Sequence, residues 1–107
     1  MYEEQLKVYD DLVSRCPRFQ RKGKTMPYTS ANGHMFSQLN KAGEIGIRFS
    51  KEVQKKYLEK YNTSLFKSYN SIMHGYILIT PDMLKDLDHV ARLLDESYNY
   101  VISLEPK

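Results

Sequence analysis

A chain of 107 residues has room for one core, and 41% hydrophobic with 27% charged residues is the balance of a folded globular domain rather than a disordered segment. Its longest apolar run, Tyr76-Ile77-Leu78-Ile79, falls far short of the roughly 20 residues that span a bilayer, and the single cysteine, Cys16, excludes an internal disulfide framework. The net charge of +3 conceals a segregation: Leu12 to Gly43 contains no Asp or Glu, whereas Asp82 to Glu105 is mostly acidic.

The first element is a helix. Tyr2, Leu6, Tyr9 and Val13, flanked by Val8 and Leu12, recur at the spacing of one helical face. Pro17 stops it by disfavouring helical geometry at Cys16. Arg18 to Lys24 follows as a basic, exposed connection. Lys24-Thr25-Met26-Pro27-Tyr28-Thr29 reads as extended, and Pro27, with no N–H for a ladder, marks a sheet edge or a bulge. Ser30-Ala31-Asn32-Gly33 is turn chemistry, Asn32-Gly33 being the pair best suited to positive φ.

The stretch from His34 to Ser50 reads as a hairpin around which the rest is organised. Met35, Phe36 and Leu39 form one apolar run. Ile45, Ile47 and Phe49 alternate with Glu44, Gly46 and Arg48, the period of a strand with one buried face. Asn40-Lys41-Ala42-Gly43 is the loop between them, and the pattern predicts Ile45, Ile47 and Phe49 inside, Glu44 and Arg48 outside. A hairpin cannot cover its own apolar face, so the flanking segments must.

Ser50 is a candidate N-cap with Glu52 in the first turn, and Val53, Tyr57, Leu58 and Tyr61 line one side of the helix that follows. Asn62 closes it. Ser64-Leu65-Phe66-Lys67 is short and fits a strand or a coil. Met73 to Thr80 is the last strand, its apolar run consistent with burial on both faces. Thr80-Pro81-Asp82 is a helix start, and Leu84, Leu87, Val90, Ala91, Leu94, Tyr98, Val101 and Ile102 continue at helical spacing, with Asp86 or Asp88 able to restart the helix after one short turn. The predicted order is α-β-β-β-α-β-β-α in a single domain over residues 1–107. Consecutive strands joined by tight turns are antiparallel, and helices with one apolar stripe each pack on one face. The expected class is therefore α+β, a two-layer sandwich of about five antiparallel strands.

The functional signals are few. His34, His74, His89 and Cys16 lack paired ligand spacing, no nucleophile elbow or phosphate loop occurs, and neither catalysis, a metal nor a cofactor is expected. Nine tyrosines offer either a stacking surface or the rim of a small core. The candidate contact residues are Arg15, Arg18, Arg21, Lys22 and Lys24, flanked by Phe19 and Tyr28. Basic residues with interleaved aromatics suit a polyanion. The same stretch also suits a partner protein, a solvated face, or neutralisation by the acidic last helix.

From Lys24 to about Leu104 the chain resembles the N-terminal domain of the TfoX/Sxy family of bacterial proteins associated with competence regulation. The residues that carry the resemblance are Lys24-Thr25-Met26, the Asn-Gly turn into Gly33-His34-Met35-Phe36, Ile45-Gly46-Ile47-Arg48, and Met73-His74-Gly75-Tyr76 with Pro81 beyond. It implies the α+β fold and a regulatory role, and supplies no catalytic residue or cofactor. The expected protein is a small cytoplasmic interaction module, monomeric or homodimeric and off the membrane, with nucleic-acid binding through Arg15–Lys24 as the alternative. An acidic start, Met1-Tyr2-Glu3-Glu4-Gln5, with no apolar h-region, is not expected to be a signal peptide.

Overall fold

The computed structural model of the chain describes residues 2–107. Nine elements follow one another: α1 (Tyr2–Ser14), β1 (Tyr28–Ala31), β2 (His34–Leu39), β3 (Ile45–Arg48), α2 (Lys51–Lys60), β4 (Leu65–Ser68), β5 (Ser71–Ile79), a 3₁₀ turn (Met83–Lys85) and α3 (Leu87–Ile102). The five strands form one antiparallel sheet in the order β1-β2-β3-β5-β4. This is the α+β class the pattern predicts, with the predicted element order.

The register around β3 is set by burial. Ile45, Ile47 and Phe49 are at most 2% exposed while Glu44 is exposed and Arg48 half-buried, so the alternation places its apolar set on the helix side. The loop Asn40–Glu44 closes through the Asn40 side chain, which accepts from the Glu44 N–H at 2.9 Å, and through Gly43 N–H on the Asn40 carbonyl. β1 differs from the sequence expectation. The strand starts at Tyr28 and runs into the segment read as turn; Lys22 and Tyr28 exchange two backbone hydrogen bonds, and Pro27, just before it, still accepts from Leu39 N–H of β2 through its carbonyl. Only Asn32 and Gly33, at φ 58° and 80°, make the turn to β2. A register shift then leaves Phe36 as the extra residue on β2, opposite the junction of Thr29 and Ser30. That bulge turns Phe36 inward beside Ser37.

Side-chain caps begin the later helices. The Ser50 hydroxyl accepts from Val53 N–H, and the Thr80 hydroxyl accepts from Met83 N–H to start the 3₁₀ turn. The Asp86 carboxylate accepts from His89 N–H, restarting the chain as α3. α3 lies across β1, β2 and β3 and against α1, burying Val90, Ala91, Leu93, Leu94, Ser97 and Val101. Ile102, expected on that stripe, is 45% exposed. α2 packs on β5 and joins the same core through Tyr57. Among the described residues, no helix is long and apolar enough to cross a membrane.

The opposite face of the sheet has its own cover. β5 is nine residues long, yet β4 pairs with it only at Ile77, Ile72 and Ser71. Between Leu65 and Lys67 the partner strand bulges by several residues, with Gly75 at φ 86°. The bulge curls β4 under the sheet and sets Phe66, fully buried, onto Gly46. A Cβ at 46 would fall within 2.7 Å of three Phe66 ring carbons, so the glycine is what lets the ring lie on the backbone. Tyr76 packs beside it with ring centroids 5.9 Å apart.

Candidate functional site

The five basic candidates do not form an open cationic strip. Arg15, at the end of α1, donates to Asp11 at 3.0 Å and to Asp88 of α3 at 2.7 Å. Arg18 donates through two nitrogens to Asp95 of α3, at 2.7 and 3.2 Å, and lies 4.5 Å from the Tyr98 ring centroid. Arg21 grips Asp10 of α1 in a two-nitrogen fork and also donates to the Gly23 carbonyl. Three guanidiniums thus face four aspartates, and hydrogen bonds to Asp11 and Asp10 raise the Arg15 and Arg21 pKa values. Lys22 reaches Ser30 at 3.3 Å. Lys24 is exposed without a hydrogen-bond or ion-pair partner among the described residues.

The interleaved aromatic is an anchor. Phe19 stacks on Tyr98 at 5.2 Å and meets Phe36 edge-on at 5.0 Å, which ties the connection into the core instead of leaving a ring free for a base. The result is a clasp of α1 and the connection against α3, with a cleft of about 390 Å³ between Arg15, Arg18, Asp88, Arg92 and Asp95. Cys16 forms its floor at 4% exposure and donates to the Ala91 carbonyl. Burial, with Asp95 nearby, pushes the thiol pKa up to about 11, the reverse of what a nucleophile needs.

The histidines are dispersed. His34 bonds the Glu105 carbonyl at 2.9 Å and His89 meets the Tyr61 hydroxyl at 2.8 Å. Among the described residues no three His, Cys, Asp or Glu side chains gather as a metal site would require. The tyrosines mostly straddle the core. Tyr57 donates to Glu96 at 2.7 Å across the α2–α3 seam, and burial with that carboxylate pushes its pKa up to about 12. Tyr76 donates to the Met35 carbonyl, and Tyr9 is buried against Ser37, which raises both pKa values by desolvation.

What stands out is the β4–β5 hairpin, which the charge pattern of the N-terminal half does not reveal. Four large hydrophobics are exposed among the described residues, and Leu65, Tyr69 and Ile72 of this hairpin are three of them. Tyr69 and Asn70 form its turn at φ 54° and 63°. A bulky residue in the left-handed region is strained, and at 67% exposure the Tyr69 ring gains no core packing in return. Lys41 lies 5.2 Å from that ring, and a groove of about 440 Å³ opens between Asn40, Lys41, Glu44, Lys67, Tyr69 and Asn70. The signal that would have found it is compositional: between Glu59 and Asp82 there is no acidic residue.

No family model matches the chain, and neither does any curated protein or solved structure.

Proposed function

We propose that the protein is a small non-catalytic regulatory module, bacterial and cytoplasmic, that works by binding another protein through the β4–β5 hairpin. The observation that carries this reading is the exposure of Leu65, Tyr69 and Ile72 on one hairpin, with the aromatic residue held in a strained turn conformation. Exposed aromatic and aliphatic side chains on a rigid element are the usual anchors of a protein interface. The hairpin is rigidly presented because Phe66 is seated on Gly46 and the Asn40 amide holds the Lys67 carbonyl at 2.8 Å. The resemblance to the TfoX/Sxy N-terminal domain supports the regulatory part of the proposal. Nucleic-acid binding through Arg15–Lys24 draws no such support, since its three arginines are occupied by aspartates of the same chain.

The test is affinity capture from the native host with nuclease-treated and untreated samples, comparing the wild type with a Leu65→Ser/Tyr69→Ser variant. The expected result is a partner that survives nuclease and is lost with the variant. Capture that depends on nucleic acid, or that the variant leaves unchanged, overturns the reading.

A further inference from the structure

We infer that the free edge of β5 at Ser71–His74 is a strand-addition site for an extended, acidic segment of a partner protein, an inference that rests on the hairpin being the docking surface. β5 lies between β3 and β4, but β3 pairs only with Tyr76 to Ile79. The last hydrogen bond on that side runs from Phe49 N–H to the Gly75 carbonyl. On that side Ser71 to His74 therefore have no strand beside them, while Ser71 and Ile72 pair with β4 on the other.

The backbone of the overhang is aimed outward. Ser68 and Ser71 flank a two-residue turn with both φ values positive, and in such a hairpin the flanking pair exchanges the ladder hydrogen bonds. The next pair, Lys67 and Ile72, must then direct its N–H and C=O groups away from one another. On the Lys67 side this is what is seen, for its carbonyl accepts from Asn40. On the Ile72 side the groups point to where β3 has ended, and no described residue hydrogen-bonds to them across that gap. An edge of this kind is completed by another strand, main-chain hydrogen bonds giving affinity and alternate side chains giving selectivity.

The chemistry of that strand follows from its neighbours. Ile72 is 46% exposed, which favours an apolar residue opposite. Lys67, the cross-strand partner of Ile72, shares its face and lacks a carboxylate partner among the described residues. A second copy of this chain would bring only further cations, because the hairpin contains no acid. An acidic segment supplies what is missing.

The probe is a synthetic octapeptide alternating Glu and Val, with its Lys–Val counterpart as control, titrated into the ¹⁵N-labelled full chain. The expected result is that Ser71–His74 amides shift, that Ile72 amide exchange slows at least tenfold, and that the Lys–Val peptide does neither. Ile72→Pro removes only an outward N–H, which an edge position tolerates, and should abolish binding. Ile72→Thr keeps the N–H and should retain it within about threefold. Should Ile72→Pro perturb the hairpin itself, Lys67→Glu serves instead and should exchange the preference toward the Lys–Val peptide. No acidic-peptide binding at millimolar concentration, equal binding of both peptides, or protection of Ile72 that tracks dimerisation in sedimentation overturns the inference. A native partner that needs Leu65 and Tyr69 yet ignores Ile72→Pro refutes strand addition alone, whereas a partner indifferent to Leu65 and Tyr69 refutes the docking surface as well.

Discussion

Gly46→Ala isolates the contact that curls β4 under the sheet. The added methyl would lie within 2.7 Å of three ring carbons of Phe66, whose side chain is fully buried. Backbone sits on one side and Tyr76 packs beside the ring, so the ring has to leave. Exposing a buried phenylalanine forfeits about 1.5–3 kcal/mol. Alanine in place of glycine in a strand returns about 0.5–1 kcal/mol. The net cost is about 0.5–2.5 kcal/mol, and for a domain of this size the melting temperature falls by roughly 4–8 °C per kcal/mol. The decisive measurement is a double-mutant cycle by urea unfolding. In a Phe66→Ala background the clash has no partner, so Gly46→Ala should become neutral or slightly stabilising, leaving a coupling of about 1–3 kcal/mol. Equal costs in both backgrounds would mean that Phe66 does not rest on Gly46, and the account of the outer face would fail.

Reversing Arg18, Arg21 and Lys22 to Glu should destabilise the fold by about 1–2 kcal/mol, since exposed pairs are worth about 0.2–1 kcal/mol each and the reversal adds repulsion. Unchanged stability, together with a salt-sensitive sub-micromolar DNA affinity that the reversal removes, would refute the clasp. At alkaline pH the raised pKa of Tyr57, about 12 against an ordinary 10.0, means that the unfolded chain ionises first. Its contribution is therefore whole below pH 10 and lost as pH rises toward 12, with Tyr9 and Tyr76 acting in the same direction. Tyrosinate absorbance should show at least these three of the nine tyrosines ionising only as the protein unfolds; ionisation of all nine near pH 10 in a folded chain would contradict it. Cys16 should react with a disulfide reagent at pH 8 only at the rate of opening, and stoichiometric labelling of native protein within seconds would show the floor of the cleft to be open.

What could be read from the chain alone is what short-range rules control. The alternation of Ile45, Ile47 and Phe49 specifies register because a one-residue slip would bury Glu44 and Arg48. The caps Ser50 and Asp86 are local hydrogen bonds spanning three residues. What could not be read depends on contacts far along the chain. β1 begins at Tyr28, which bridges to Lys22, and Phe36 turns inward through a bulge that only pairing with β1 creates. Ser64 to Lys67 fits a strand or a coil from sequence alone because its buried residue, Phe66, packs against Gly46, which lies in another strand. The basic stretch shows its charge, and neutralisation by the acidic last helix stays one of several readings of it, since Asp88 and Asp95 lie more than 70 residues from Arg15 and Arg18.

The clasp also decides where the net charge of +3 is felt. With Arg15, Arg18 and Arg21 met by aspartates, the α1–α3 side is close to neutral, and its exposed pairs contribute more to the placement of α1 than to stability. Other cations without a carboxylate partner stand elsewhere. Lys51, Lys55, Lys56 and Lys60 flank the solvent face of α2, and Lys41 and Lys67 border the hairpin, none of them with a carboxylate partner among the described residues. Lys41 stands over Tyr69 at the hairpin turn and Lys67 pairs across from Ile72, so cations lie on the hairpin that carries the open edge of β5. An approaching acidic segment is guided toward that side only within about 8 Å at physiological salt, which sets the division of labour. Charge selects the sign of the partner at short range. The Ile72 backbone and the apolar side chains beside it hold what has been selected. Because few cations border the edge itself, raising salt should weaken an acidic strand far less than it weakens a polyanion that releases counterions along its length.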